Sequence, residues 1–486
     1  MKNPDYGWFI EHADTDSAFL LLIRDYEVFA DRVKGRAHEV GHNGDLTELV
    51  NHCIYRAVYE QNRFGSMSSV LESITPPVKE LLSIGRIFNG NLRIANRLMT
   101  DEAGPFLALG LSAFWAPHAA MWNPSKLDRL AEFAIPAHMT YVRWFGAHDW
   151  EGGVNPHAVP AYWHQMENTI IELAERGLRS EITFFTRRHM IPDPESYVRR
   201  WAEIVERHRD KVILSEICNE YNHPHNGFAT GEVQHLSHVF KSLCGGPLAC
   251  ASPIAGDSFE GLKDMLYTLN DLSGADVTSV HYPRRDNTGE GAWRAVRQSW
   301  HTRGQMPGCP DFIVNNEHAR WDKVAGGKKT EVAVSLCLVP FIAGCGMSAH
   351  HDVYGVHEGR GEYGADPASI ELQHVFSKVM PLLPPDLPSW ESTRVPFQSH
   401  PFPELMNQHW TFGESSSGVS RAYAAVKNEK FVMLLAGVRG HVKLTTEKDV
   451  SYKAISLKDG QTVYSGRGHD VVLPQSEGEA YLVLST

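Results

Sequence analysis

Basic residues are in deficit: 46 Lys and Arg stand against 58 Asp and Glu, a net charge of −12 over 486 residues. Nucleic acids and anionic bilayers are gripped by a cationic face, so neither is expected as a partner. Cysteine is also sparse. The seven present are scattered, odd in number and without C-x-x-C spacing, which argues against a disulfide framework and for buried free thiols in a reducing compartment. No apolar run approaches a membrane span. The opening residues, MKNPDYGWFIEHADTD, lack the charged-then-apolar order of a secretory signal, so cytoplasmic synthesis is the expectation. No glycine fingerprint for a dinucleotide follows any apolar run, and no low-complexity tract or short repeat is present.

What remains is ordinary globular material, 42% hydrophobic and 21% charged, long enough for two or three domains. Asp16 to Val40 and Leu46 to Arg63 carry apolar residues at helical spacing, with a breaker at 41–44. Residues 1–90 are therefore expected as a helical extension. Leu92 to Pro105 predicts a hairpin turning at Asp101 to Gly104. Strand-like runs then alternate with amphipathic helices. The strands are Phe106–Trp115, Thr140–Phe145, Glu181–Phe185, Val212–Ile217, Leu248–Ser252, Val277–His281, Phe312–Asn315 and Gly346–His350. Eight strands at this period predict an α/β fold, a (β/α)8 TIM barrel over residues 91–388. After a proline-rich exit at 381–388, short runs with turns at Asn428-Glu429, Lys458 to Gly460 and Gly466 to Gly468 predict a small C-terminal antiparallel β-domain or sandwich, residues 389–486.

In a parallel barrel, chemistry sits at the C-terminal ends of the strands. Strand two ends on Arg143, with His148 and Asp149 just beyond. Strand four ends on Asn219-Glu220, strand six on His281-Tyr282, strand seven on Glu317, and strand eight on His350, His351 and Asp352. Two glutamates thus share one rim, three strands apart. Two carboxylates suit glycosidic cleavage: one, protonated, gives its proton to the leaving oxygen, and the other, ionised, attacks the anomeric carbon. Arg143 and Tyr282 are placed to keep Glu317 ionised, and Asn219 offers an amide to a substrate hydroxyl. His350 is a candidate pocket residue. Trp115, Trp144 and Trp321 could stack on sugar rings or simply pack in the core. Glu216, four residues deeper than Glu220, reads as a structural ion pair. Asp257 reads as a helix cap.

These motifs resemble clan A of the retaining glycoside hydrolases. Asn219-Glu220 is similar to that clan's acid/base motif at the end of strand four. Glu317, within Phe312 to His318, is similar to its strand-seven nucleophile, Arg143 to its strand-two arginine, and His281-Tyr282 to its strand-six pair. The opening from Arg97 to Trp115 is similar as well. The resemblance implies a retaining O-glycosyl hydrolase with Glu220 as acid/base and Glu317 as nucleophile, no cofactor or metal, and a glycoside, oligosaccharide or polysaccharide as substrate. The clan's strand-eight tryptophan is missing: Met347 to Asp352 stands there.

Two other readings are open on the residues. His350, His351 and Asp352 invite a metal, but a metal-dependent barrel hydrolase wants His-x-His on strand one, and Ser112 to Trp115 has none. Alternatively, the barrel is a non-catalytic carbohydrate-binding or assembly module. A convergence of Arg187, Arg188, Arg284, Arg285 and Arg320 would further suit an acidic sugar.

Overall fold

The computed structural model describes residues 90–485 apart from 160, 255–258, 283–292, 294, 297–299, 301–307, 325–326, 394–417, 441–442 and 475. The helical extension expected over residues 1–90, all but its last residue, lies outside the described residues, as do Asp257 and the pair Arg284-Arg285.

The first described strands form a meander: β1 (Arg93–Ala95), β2 (Leu98–Asp101) and β3 (Gly104–Phe106). The hairpin expected from sequence is β2–β3. A second turn precedes it, at Asn96 and Arg97, both at positive φ (51° and 65°), as a two-residue hairpin loop requires. Leu92, Met99 and Phe106 are buried in one cluster with Tyr141, Val277, Phe312 and Met347. Those four open their strands, so the meander plugs the end of the barrel away from the chemistry.

Eight parallel strands then close the barrel: β4 (Ala108–Ser112), β5 (Tyr141–Phe145), β6 (Arg179–Phe185), β7 (Val212–Cys218), β8 (Leu248–Ala251), β9 (Val277–Ser279), β10 (Phe312–Asn315) and β11 (Met347–His350). Each lies on a run expected from sequence. Strands buried on both faces read as continuous apolar segments, and glycine appears where the interior needs room. A Cβ at Gly110 would sit 2.4 Å from the Tyr141 ring.

Beyond the barrel, β12 (Glu391–Thr393), β13 (Gly418–Lys427), β14 (Lys430–Gly440), β15 (Lys443–Ser456), β16 (Thr462–Val472) and β17 (Ser476–Ser485) form one antiparallel sheet, ordered β12-β13-β14-β17-β15-β16. Among the described residues the C-terminal β-domain is thus a single sheet. β15 is one long strand that pairs with β16 across a bulge between Thr445 and Val450. The turn expected at Gly466 to Gly468 lies inside β16, an edge strand where glycine and irregular pairing are tolerated. The sheet packs on the helix Thr330–Ile342, which also contacts β11. Covered on both sides, that helix is apolar nearly all round. No helix among the described residues is long and apolar enough to cross a membrane.

Candidate active site

Barrel parity decides what meets at the strand ends. On β5 the inward positions are Tyr141 and Arg143; on β6, Glu181 and Thr183; on β7, Leu214 and Glu216. Arg143 is fully buried and reaches three carboxylates. Its Nη1 donates to Glu317 Oε2 at 2.7 Å and its Nη2 to Glu216 Oε2 at 3.0 Å, while Nε lies 3.6 Å from Glu181 Oε1. Nη2 also donates to Asn219 Oδ1 at 2.7 Å. The rings of Phe114 and Phe145, stacked 3.9 Å apart, lie 5.4 and 5.0 Å from the guanidinium carbon. Together they shield the ion pairs from water and strengthen them.

The strand-four segment turns sharply. Glu220 has φ of +43°, an uncommon conformation for a residue with a Cβ and one that clusters at functional sites. The turn is clamped: Ser252 Oγ accepts from Glu220 N at 3.1 Å, and Asn226 Nδ2 donates to the carbonyls of Asn219 and Glu220, each at 2.8 Å. His281 Nδ1 lies 3.2 Å from Glu220 Oε1. One carboxylate oxygen each from Glu220 and Glu317 and a ring nitrogen of His281 lie within 4.8 Å of one another. The Glu220 side chain is 15% exposed against 7% for Glu317, so of the two it is the more open to incoming water.

Burial opposes ionisation of Glu216, yet Arg143, His281 and the Thr183 hydroxyl together hold its carboxyl below the ordinary value. It is the ion-paired structural carboxylate expected from sequence. Glu181, a layer away, behaves oppositely. Burial pushes its carboxyl up to about 7 despite Arg143.

Several expected site residues go elsewhere. Tyr282 does not reach Glu317; it packs with Leu262, Leu266, Val280, Ile313 and Cys345 on the outer side of the barrel wall. One residue past inward-facing His281, it points the other way. His350 is likewise outward, ringed by Trp321 and Tyr363, and burial lowers its imidazole to about 3. Its neighbour His351 is the inward one, with Nδ1 3.0 Å from Ser112 Oγ and Nε2 4.0 Å from Glu317 Oε1. Strand alternation carried that signal. Trp115 and Trp321 are 2% and 0% exposed and are tied by their indole N–H groups to the carbonyls of Tyr354 and Lys329, so neither offers a face to a sugar. Trp144 is buried too, against Trp201. His148 bonds the Phe114 carbonyl at 3.2 Å, and burial lowers it to about 3.

His148 also lines a cavity of about 470 Å³ with Asp149, Trp150, Asn155, His157 and His189, in the loops after β5 and β6. Asn316 was not singled out from sequence, yet it sits between His281 and Glu181. Arg187, Arg188 and Arg320 do not converge: they pair with Asp149, Glu232 and Asp322 respectively.

No protein-family model and no curated protein matches the chain. Solved structures do. A glycoside hydrolase family 5 protein from Bacteroides vulgatus superposes with a TM-score of 0.54 at 13% identity, over 82% of this chain and 93% of that one. The likeness is one of fold: this chain shares the barrel architecture of that protein. A GH30 endoxylanase from Clostridium papyrosolvens also matches, with a TM-score of 0.46 at 8% identity, over 83% of this chain and 99% of that one.

Proposed function

We propose that this chain is a retaining O-glycosyl hydrolase working by double displacement. The observation that carries the reading is the pair Glu220 and Glu317, with carboxylate oxygens within 4.8 Å across one barrel mouth. Retaining pairs hold their carboxyl groups about 5–5.5 Å apart and inverting pairs roughly 6.5–9.5 Å, and the approach of one oxygen from each supports the closer, retaining arrangement.

Glu317, held by Arg143, attacks the anomeric carbon as Glu220 protonates the departing glycosidic oxygen, leaving a covalent glycosyl-enzyme. Glu220, now a carboxylate, takes a proton from the water that releases the sugar. Because Arg143 occupies the Asn219 carbonyl oxygen, the amide NH2 is left to donate to a substrate hydroxyl beside the reacting carbon. The cavity at His148 and Trp150 suits a further sugar unit, Trp150 supplying an apolar ring face and Asn155 and Asp149 hydrogen bonds. All six cysteines among the described residues are free, which supports a reducing compartment. We assign residues 91–388 to the catalytic barrel and 389–486 to the trailing sheet.

The test is an aryl glycoside panel with Glu220→Gln and Glu317→Gln. Both substitutions are expected to abolish hydrolysis; in the matching Ala variants external azide should give a glycosyl azide of retained anomeric configuration at Glu220 and of inverted configuration at Glu317. NMR of the first-formed product should show retained anomeric configuration; inverted product would refute the mechanism. No turnover by the parent chain alongside measurable sugar binding would favour the non-catalytic module.

A further inference from the structure

Behind the acid lies a chain of hydrogen bonds that the double displacement does not by itself require. Asn316 Nδ2 donates to Glu181 Oε1 in the barrel interior. Its Oδ1 faces His281 Nε2 at 3.0 Å and accepts from Ser279 Oγ at 3.4 Å. The other nitrogen of that ring, Nδ1, faces Glu220 Oε1 at 3.2 Å. All the intermediate groups are buried: Asn316, Glu181 and His281 are at most 1% exposed.

The orientation of one amide settles the rest. Asn316 Nδ2 donates to Glu181 Oε1, and a carboxylate, or a carboxyl whose proton sits on Oε2, only accepts there, so Glu181 takes the NH2 end of Asn316. The carbonyl end must then face the imidazole. A carbonyl oxygen only accepts, so His281 carries a proton on Nε2. In the neutral ring this leaves Nδ1 a bare acceptor, and a bare acceptor meets an ionised carboxylate with no hydrogen between them.

We propose that Asn316, oriented by Glu181, fixes the tautomer of His281 so that one proton is held between His281 Nδ1 and Glu220 Oε1, which makes Asn316 and Glu181 positioning residues for the acid step. This rests on the hydrolase reading for its consequence but not for its geometry. In the resting site the proton is stored where the leaving group needs it. When it passes to the glycosidic oxygen, the C–O bond to the leaving group breaks and Glu317 forms the new one. Glu220 is then a carboxylate opposite a bare nitrogen, a mismatch that is relieved when Glu220 takes a proton from the attacking water. The charged and titratable groups around the relay are Arg143 and Tyr141 from β5, Glu216 from β7, and Glu317, whose Oε2 lies 3.9 Å from His281 Nε2.

The experiment reads the ring and the pH profile separately. Nitrogen-15 NMR of the full chain, with His281 assigned by difference from His281→Gln, is expected to show the proton on Nε2. A neutral ring protonated at Nδ1 would overturn the proposal even in an active hydrolase, and a ring protonated at Nε2 would support it even if no glycoside were cleaved. In kinetics, Asn316→Ala frees the tautomer, so the basic limb of kcat/KM should move down by about one pH unit, with the acidic plateau kept within about threefold. Glu181→Gln still presents a carbonyl to Asn316 and should leave that limb in place. A loss equal at every pH in Asn316→Ala, or an equal displacement of the limb in Glu181→Gln, would refute the tautomer mechanism: the first marks a merely structural role, the second a simple charge effect.

Discussion

Replacing Arg143 with Met removes a cation that three interior carboxylates share, and the size of the effect can be worked in two ways. Two of its hydrogen bonds reach ionised groups, Glu317 at 2.7 Å and Glu216 at 3.0 Å, and such bonds contribute about 1.5–3 kcal/mol each. Alternatively, breaking a buried ion pair by deleting one partner costs about 3–5 kcal/mol, because a charge is left without compensation. The two routes agree on a loss of about 3–5 kcal/mol near pH 7.5. The sign of the pH dependence follows from Glu216. In the intact protein its folded value is depressed, so it contributes stability that is present above the unfolded value of about 4.3 and is lost as pH falls through the folded one. Without Arg143 that contribution vanishes, and the same buried carboxyls hold protons more tightly folded than unfolded. The deficit of the variant is therefore largest above neutrality and shrinks toward pH 5. Urea unfolding midpoints at pH 7.5 and 5 measure it, with Arg143→Lys, which keeps the charge and loses the fork, falling between. A deficit under about 1 kcal/mol, or one equal at both pH values, would show that the guanidinium is not what holds the pocket.

Three further outcomes follow from the same geometry. His148 and His350 both stand near 3, lowered chiefly by burial. The unfolded chain therefore binds more protons between about pH 6.5 and 3, and stability should fall with acid by up to about 1.4 kcal/mol per pH unit for each ring; His350→Phe should halve that slope in urea titrations, and an unchanged slope would refute the assignment. Tyr282→Phe should leave kcat/KM within about twofold, since the hydroxyl lies in an apolar cluster outside the barrel wall, and a loss beyond tenfold would place it back at Glu317. Trp150→Ala should raise KM for an oligosaccharide by about tenfold while leaving an aryl monoglycoside unchanged, as loss of one stacking face predicts; equal effects on both substrates would detach the cavity from substrate binding.

The legible part of this molecule is the part written in strand ends. Apolar runs at a βα period located all eight barrel strands, and the polar residues that interrupt those runs, Arg143, Asn219, Glu220, His281 and Glu317, are the ones that meet. What failed was facing. Tyr282 and His350 stand at the right height and on the wrong side, because a strand turns its side chains alternately and a one-residue step exchanges pocket for wall. On β11 the interior positions are Met347 and Ala349, and the same alternation carries inward to His351 rather than His350. Large aromatics misled for another reason. Trp115 and Trp321 sit beside the rim in sequence, but their indole N–H groups find backbone carbonyls and draw the rings inside, and nothing local distinguishes such a ring from one left open to sugar. Asn316 was hidden differently. Its residue type is common, and its meaning comes only from Glu181 and His281, which lie 135 and 35 residues away in sequence. A single chain exposes the groups that do chemistry because they break a hydrophobic pattern; the groups that orient them break the same pattern, and only closure of the barrel separates the two.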